Sequence, residues 1–454
     1  MTQEHPTITL IGAGLNGPLL ALGLVNRGFR VEIYERRPDM RQVRVSAGRS
    51  INLALSTRGI HALKEAGLWQ QMQNIIIPMK GRMMHSAACE LTFQPYGKDE
   101  SEVINSISRA ELNIALMNAA EEQGVNIHFQ QRCLGLDLKS GDLRMRDEMS
   151  GGEREVKSDV VIVCDGSASA IRSDMLRLSR FNFSQQYLDY GYKELTIPAD
   201  AGGKHVIETH ALHIWPRGNY MLIALPNIDG TFACILFLPF EGEDSFEQLN
   251  SRSSVQEFFQ SRFPDAVPVM PDVTNNFFTN PTGSMVTIKC SPWHLDGRVL
   301  LLGDAAHAIV PFFGQGINCG FEDCTVLLEL LDRHGLDWER VFLEYEQARK
   351  INTDAIADLA VENFVEMRDR VADPRFLLRK KVELALENKY PQRFVPKYAM
   401  VTFHRVPYST ALQRGKVQDG ILSQLCDRIQ SIEDLDWGSA HSLINSQLAP
   451  LELS

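Results

Sequence analysis

Apolar and polar positions change period several times along the chain. Residues 7–14, TITLIGAG, form a nearly unbroken apolar run rich in β-branched residues, the pattern of a strand covered on both faces. LNGPLLALGLVNRG reads as a helix ending at Gly28, and RVEIYE as a second strand. Strand, helix and strand in that order predict a parallel pair with a right-handed crossover. A further helix is expected in SISRAELNIALMNAAEEQG, where Ser108 and Glu111 have capping-box spacing and Gly124 closes the segment. VNIHF and KSDVVIVCDG then read as strands, the second running into a glycine turn.

Between 190 and 290 the pattern becomes one of short strands, ALHIWP, YMLIALP and TFACILFLPF, separated by turn residues, with Asp229-Gly230 as a hairpin signal. This predicts an antiparallel lobe inserted between pieces of an α/β lobe. GRVLLLGDAAH returns to a buried strand, and from about 320 onward the chain reads as helical. Pro374, Pro391, Pro396 and Pro407 are expected to break that region into short helices.

With 454 residues, 44% of them hydrophobic, the chain exceeds what one core usually holds. A net charge of −11 excludes a general nucleic-acid binder, which needs a basic surface. The eight cysteines show no CxxC and no zinc-like or disulfide-like spacing, so reduced thiols and a cytoplasmic location are expected. The polar start MTQEHPTITL is unlike a signal peptide, and the longest apolar runs, such as FACILF, are too short for a bilayer. No signal for an oligomeric state is visible.

Candidate chemistry sits at three glycine sites. Gly12, Gly14 and Gly17, with Leu15 among them, make a GxGxxG between a strand and a helix, and Glu35 ends the next strand. Such glycines let a pyrophosphate approach a helix N-terminus while the acid accepts from a ribose, so this unit reads as dinucleotide-binding. The second site, Asp165 and Gly166 followed by Ser169 and Arg172, by itself also fits a plain turn with a surface salt bridge. At the third, LLGDAAHAIVPFFGQGINCGFEDC, Asp304 follows a strand and a Gly-rich turn leads into a helix. Three such sites spread over 300 residues point to one long ligand crossing a discontinuous domain.

These three sites together resemble the class A FAD-dependent aromatic hydroxylases. GRSINLALSTRG, PYGKDES, HIWPRGNYMLIALPN, LLGDAAHAIVPFFGQGINCGFEDC, NFVEMR and YAMVTFHR extend the resemblance over nearly the whole chain, to the kynurenine-hydroxylating branch of that family. The C-terminal segment from GKVQDGILS onward departs from the membrane-anchored eukaryotic members, so the soluble bacterial form without a membrane anchor is expected. The implied fold is α/β (α+β overall): a discontinuous Rossmann-like FAD-binding domain (1–73, 100–178 and 291–365), an inserted antiparallel β-sheet substrate domain (74–99 and 179–290), and a C-terminal helical region (366–454) covering the active site. FAD is the implied bound cofactor, NADPH and O2 the co-substrates, and L-kynurenine the substrate, hydroxylated through a flavin C4a-hydroperoxide to 3-hydroxykynurenine in tryptophan catabolism. No second GxGxxG is present for NADPH. The arginine-rich stretch 35–49 either steers that coenzyme or is a solvated loop.

By the same resemblance, Gly12, Gly14, Leu15, Gly17 and Asp165 belong to the FAD site, and Glu35 holds the adenosine ribose with Arg36 and Arg37 beside it. Arg109 contacts FAD, the backbone near Leu134 packs the adenine, and Ala54 lies near the flavin. Asp304 meets the ribityl chain, and Gly316, Ile317 and Asn318 offer backbone to the flavin ring. An amino-acid carboxylate in an apolar cavity suits a guanidinium fork, and Arg82 with Tyr96 fits that task. Asn363 and Tyr398 fit the other polar contacts; without the resemblance, the two tyrosines read as core residues and Asn363 as helix surface. The substrate ring is expected among Leu212, Met221, Ile223, Leu225, Phe237, Pro311, Phe312 and Met367, with Pro311 and Phe312 lining the oxygen-transfer site. No catalytic base is required, and water exclusion is the protein's main task. His205, His210 and His213 with Glu208 suggest a metal only superficially, because strand alternation scatters them over two faces. Competing readings are a hydroxylase of another aromatic acid, a flavin halogenase, which would carry a Trp-rich WxWxIP signature, and a protein-binding relative of the GDP-dissociation-inhibitor type.

Overall fold

The strand Thr7–Ile11 pairs in parallel with Val160–Val163 on one side and Arg30–Tyr34 on the other. These belong to a six-stranded sheet in the order His294–Leu295, Val299–Leu301, Val160–Val163, Thr7–Ile11, Arg30–Tyr34, Asn126–His128. Only the edge pairing of His294–Leu295 is antiparallel. All four residues of Val160–Val163 are buried, as expected of a parallel strand covered on both faces. The computed structural model describes residues 6–42, 52–369, 374–427 and 429–453, with the side chains of 367–369 and 374 outside the description.

By its contacts the chain divides into two compact units. The first comprises Met1–Ile76, Ile107–Leu188 and Ser284–Ala357. Its helix Asn16–Val25 follows the first strand, and its helix Arg109–Glu122 is capped by the Ser108 hydroxyl, which accepts from the Glu111 amide at 3.4 Å. A separate three-stranded sheet, Gln131–Leu136, Leu143–Asp147 and Glu153–Val156, is one element that the apolar pattern does not announce, since Glu153–Val156 has no buried residue.

The second unit comprises Ile77–Ser106, Asp189–Gly283 and Asp358–Ser454, so residues 366–454 fall within it. Asn182–Ile197, from Tyr190 on, is followed across its sheet by Phe232–Pro239, Met221–Pro226, Ala211–Pro216, Gly81–His85 and Leu91–Pro95. The sheet is mixed rather than wholly antiparallel, because Ala211–Pro216 runs parallel to Gly81–His85. A long stretch of chain separates these two strands, so no hairpin obliges them to run oppositely. Helices Arg252–Arg262 and Val273–Thr279 pack Phe258, Phe259 and Phe277 against Leu195, Trp215, Leu222 and Leu236 on one sheet face. Helices Pro374–Lys389, Tyr408–Cys426 and Trp437–Gln447 build another core around Leu386, Ile421 and Ile444. Prolines 374, 396 and 407 stand at helix starts, as their chemistry favours. The run Trp338–Asp369 contains none and stays helical for 32 residues, longer than expected for the C-terminal part.

Candidate functional site

The three glycine sites converge in the first unit. Gly12 has φ +105°, and a Cβ there would meet the Cys164 carbonyl at 2.5 Å, so the first glycine turn is pressed against the residue preceding Asp165. A Cβ at Gly17 would lie 2.1 Å from the Gly12 carbonyl, whereas one at Gly14 would meet nothing within 4 Å. Two glycines therefore serve close packing and the middle one leaves room beside a helix start that no side chain caps. The Asn16 amide lies where Cβ atoms at Gly303 and Gly320 would stand, 2.2 and 2.5 Å away, which ties the first helix to the third glycine site.

Glu35 is buried and accepts from the Ala13 amide at 2.8 Å, the Arg37 amide at 2.9 Å and Arg37 Nε at 2.8 Å. Burial opposes its charge, but the Arg37 bonds and charge and the two amides prevail and hold its pKa below the usual range. Arg36 and Arg37 are exposed beside it. Arg41 is bound by Asp39 at 2.8 Å and by Glu121 at 2.5 Å, so its charge is already answered; residues 43–49 of the arginine-rich stretch lie outside the described residues. The Gln131 amide donates to the Glu35 carbonyl, which starts the strand carrying Leu134 beside the acid.

Asp165 Oδ1 is buried with no hydrogen-bond partner among the described residues, while Oδ2 accepts from the Ala170 amide at 3.1 Å. Arg172 is buried, not part of a surface salt bridge: it donates to the carbonyls of Ala305, at 2.8 Å, and Ser167. Asp304 is open to solvent yet closely surrounded by protein, which raises its pKa against the lowering charges of His307 and Arg109. Arg109 stands exposed at the start of its helix. Gly314, with φ +66°, leaves 3.0 Å between an added Cβ and that of Ala54, and Gly316 is open. The Asn318 side chain is fully buried, donating to Ala54 O at 2.8 Å and Gly314 O at 3.0 Å and accepting from the Ser56 amide at 2.9 Å. Its side chain is spent on ordering the turn, Ile317 is buried beside it, and Gly316 is the exposed residue of the three. Pro311 is exposed and Phe312 buried in the turn before them. An uncapped helix start, an open Gly14 and Gly316 and an orphaned Asp165 oxygen fit a bound FAD.

A buried ionic network behind this turn escaped the sequence reading. Asp323 accepts from His307 Nε2 at 2.6 Å and Arg349 Nε at 2.7 Å; Glu322 accepts from Arg349 Nη1 at 2.8 Å and Arg58 Nε at 3.1 Å. Burial disfavours the His307 cation, but Asp323 and Cys319 outweigh it and raise its pKa to about 10. His307, Cys319 and Asp323 stand close enough to hold a metal ion, but Arg349 bonds to both Asp323 and Cys319 and already supplies their cation.

In the second unit, Arg82 lies over two rings, 5.5 Å from Tyr96 and 5.0 Å from Tyr398. Its Nε is buried without a hydrogen-bond partner among the described residues. Burial works against its charge, and Tyr398, Tyr96 and Glu366 outweigh it, raising its pKa. Strand register pairs Arg82 with Leu212, Ile214 with Ile223, and Met221 with Phe237. Alternation then puts Arg82, Leu212, Met221, Ile223, Leu225 and Phe237 on one sheet face, together with Ile214, Ile235 and Tyr192, which were not singled out from the sequence. Asn363 is buried in the helix whose Phe364 meets Tyr190 edge-on at 5.0 Å. The Met367 side chain lies outside the described residues.

The opposite face holds a polar relay. His85 bonds Asp265 at 2.6 Å and His213 at 2.9 Å, and Trp215 donates to the same Asp265 oxygen at 2.9 Å. His205, His210 and His213 each bond a backbone carbonyl, of Asn227, Pro78 and Glu208 respectively.

Residues 5–358 match the model of the FAD binding domain family. The chain is 54% identical to a kynurenine 3-monooxygenase of Myxococcus xanthus, over 98% of this chain and 96% of that one. A kynurenine 3-monooxygenase of Flavobacterium johnsoniae is 47% identical over 96% and 97% of the two chains. In fold, the chain is similar to a tetrameric form of 2-methyl-3-hydroxypyridine-5-carboxylic acid oxygenase, with TM-score 0.67, 19% identity and coverage of 83% and 96%. It is also similar to an HpxO variant of Klebsiella pneumoniae complexed with FAD, with TM-score 0.66, 19% identity and coverage of 84% and 94%.

Proposed function

The chain belongs to the kynurenine 3-monooxygenase family of FAD-dependent hydroxylases, and from that premise we propose that it converts L-kynurenine to 3-hydroxy-L-kynurenine, with FAD bound, NADPH as reductant and O2 as oxidant. The observation that carries the substrate assignment is the Arg82 guanidinium. A half-buried arginine whose Nε is buried and unpartnered, beside two tyrosines and on the same sheet face as Leu212, Met221, Ile223, Leu225 and Phe237, suits a carboxylate attached to an aromatic body.

When bound, the flavin supplies the redox chemistry: reduced by NADPH, it activates O2 for transfer of one oxygen atom to the ring. Glu35 accepts from the adenosine ribose beside Arg36 and Arg37, the Gly12–Gly17 turn receives the pyrophosphate, and Asp165 and Arg109 complete that grip. The Leu134 backbone packs the adenine, Asp304 accepts from the ribityl chain, and Ala54 with the backbone of Gly316, Ile317 and Asn318 meets the flavin ring. Arg82, Tyr96, Asn363 and Tyr398 hold the substrate's amino-acid end. Leu212, Met221, Ile223, Leu225, Phe237 and Met367 receive its ring, and Pro311 and Phe312 keep water from the transferring oxygen. Kynurenine's ring amine already donates electrons to the ortho carbon, so no side chain has to ionise the substrate. Among the described residues no helix is long and apolar enough to cross a membrane. Eight free cysteines suit a reducing compartment, and we place the enzyme in the cytoplasm.

The test is NADPH oxidation by the purified yellow protein with and without L-kynurenine, the product identified by mass. Substrate-stimulated NADPH consumption with a gain of one oxygen atom is the expected result, and its absence overturns the proposal.

A further inference from the structure

Among the described residues of the first unit, the buried ionic network around Asp323 has no part in the proposed chemistry. It joins the segments carrying the flavin-facing residues: Arg58 stands in the helix Thr57–Glu65 just after Ala54, and His307 closes the short helix begun by Asp304. Glu322 and Asp323 lie in the helix begun by Gly316. Arg349 also donates to the Cys319 carbonyl at 3.2 Å, in the first turn of that helix. The guanidiniums of Arg58 and Arg349 and the imidazole of His307 stand against two carboxylates, Glu322 and Asp323. Side-chain exposure within the cluster is at most 10%, so water screens little of its charge.

We propose that this cluster carries one surplus positive charge, supplied by His307 over two arginines already balanced by two carboxylates, and that it favours the electron-rich reduced state of the FAD held by the turn in front of it. His307 is a positioning residue in this account, acting through the field and not by touching substrate. The proposal rests on the FAD reading of the site. The two arginines keep their charge at any accessible pH, so the surplus depends on whether His307 is an imidazolium. The titratable groups that face it are Asp323, Cys319 and Asp304, two of them carboxylates, and the Trp293 ring packs 5.2 Å away. Asp323 binds His307 with one oxygen and Arg349 with the other, which fixes the ring nitrogen as a donor toward it. A cation near an acceptor that gains electrons shifts its electronics without any contact.

His307→Gln keeps a hydrogen-bond donor toward Asp323 and removes the charge. In the FAD-loaded variant, the ratio of reduced to oxidised flavin at fixed ambient potential is expected to fall at least about tenfold, ~30 mV for a two-electron couple. A merely structural His307 would lower the melting temperature and leave that ratio unchanged, which overturns the proposal. The second measurement needs no stable variant: in 15N-histidine-labelled wild-type holoenzyme, one buried imidazole should keep both ring protons to pH 8. If every imidazole is neutral at pH 8, the surplus charge does not exist and the proposal falls. A chain that folds but takes up no FAD instead refutes the cofactor reading, so the two failures are told apart by the absorption spectrum.

Discussion

Replacing Arg82 with methionine keeps the length and apolar stem of the side chain while removing its donors. In the wild type the guanidinium is set 5.5 and 5.0 Å from two tyrosine rings with its Nε unpartnered, so a carboxylate placed there exchanges water for a charged fork. Removing one member of such a buried pair costs about 2–5 kcal/mol, because the remaining charge is left desolvated. At about 1.4 kcal/mol per decade, the Kd for L-kynurenine should weaken roughly 30- to 4000-fold. Stability should change far less, since the substitution also removes a charged group whose Nε is buried without a partner. The assay is calorimetric titration of L-kynurenine into FAD-loaded protein at constant ionic strength, repeated with the decarboxylated analogue. Both proteins should bind that analogue alike, because it has nothing to offer the fork. If Arg82→Met retains FAD and binds L-kynurenine within about threefold of wild type, the carboxylate reasoning is wrong.

Gly14→Val should abolish FAD uptake while leaving the melting temperature of the apoprotein nearly intact, since a Cβ there meets no protein atom within 4 Å. Gly17→Ala should instead lower that temperature by several degrees, because its Cβ would press on the Gly12 carbonyl at 2.1 Å; equal outcomes for the two would refute the assigned roles. Asp304→Ala should emerge from gel filtration without its flavin, and a retained yellow colour would count against the ribityl contact. His213, whose folded pKa burial lowers from 6.5 to about 4, contributes stability that is fully present above pH 6.5 and lost as pH falls toward 4. The loss approaches about 3 kcal/mol, and urea titrations of His213→Gln should lack that part of the acid slope.

The parallel strands, the capped helix at Ser108 and the glycine turns were legible because each rests on neighbours within a few residues. Arg172 was not: a spacing of six residues from Gly166 looks like a surface pair, while its acceptor at Ala305 lies 133 residues away. His307, Asp323 and Arg349 sit on helical segments as ordinary polar residues, and only tertiary packing turns them into one network. The apolar strands of the second unit showed their period, but the common face of Arg82 and Leu212 depends on a parallel register between chains 130 residues apart. Nothing in a two-residue alternation specifies that register. The histidines of 205–213 are the converse case, a local cluster whose nitrogens each find a carbonyl.

The place of Val299–Leu301 between His294–Leu295 and Val160–Val163 has a bearing on biosynthesis. A ribosome that has delivered the first GxGxxG must still add nearly three hundred residues before the strand leading to Asp304 exists. Until then Val160–Val163 has one bare edge, and Asn16 lacks the glycine notches at 303 and 320 that receive it. Cofactor capture should therefore be a late event in the life of the nascent chain, and chains halted before residue 304 should emerge colourless however well their amino-terminal strands have paired.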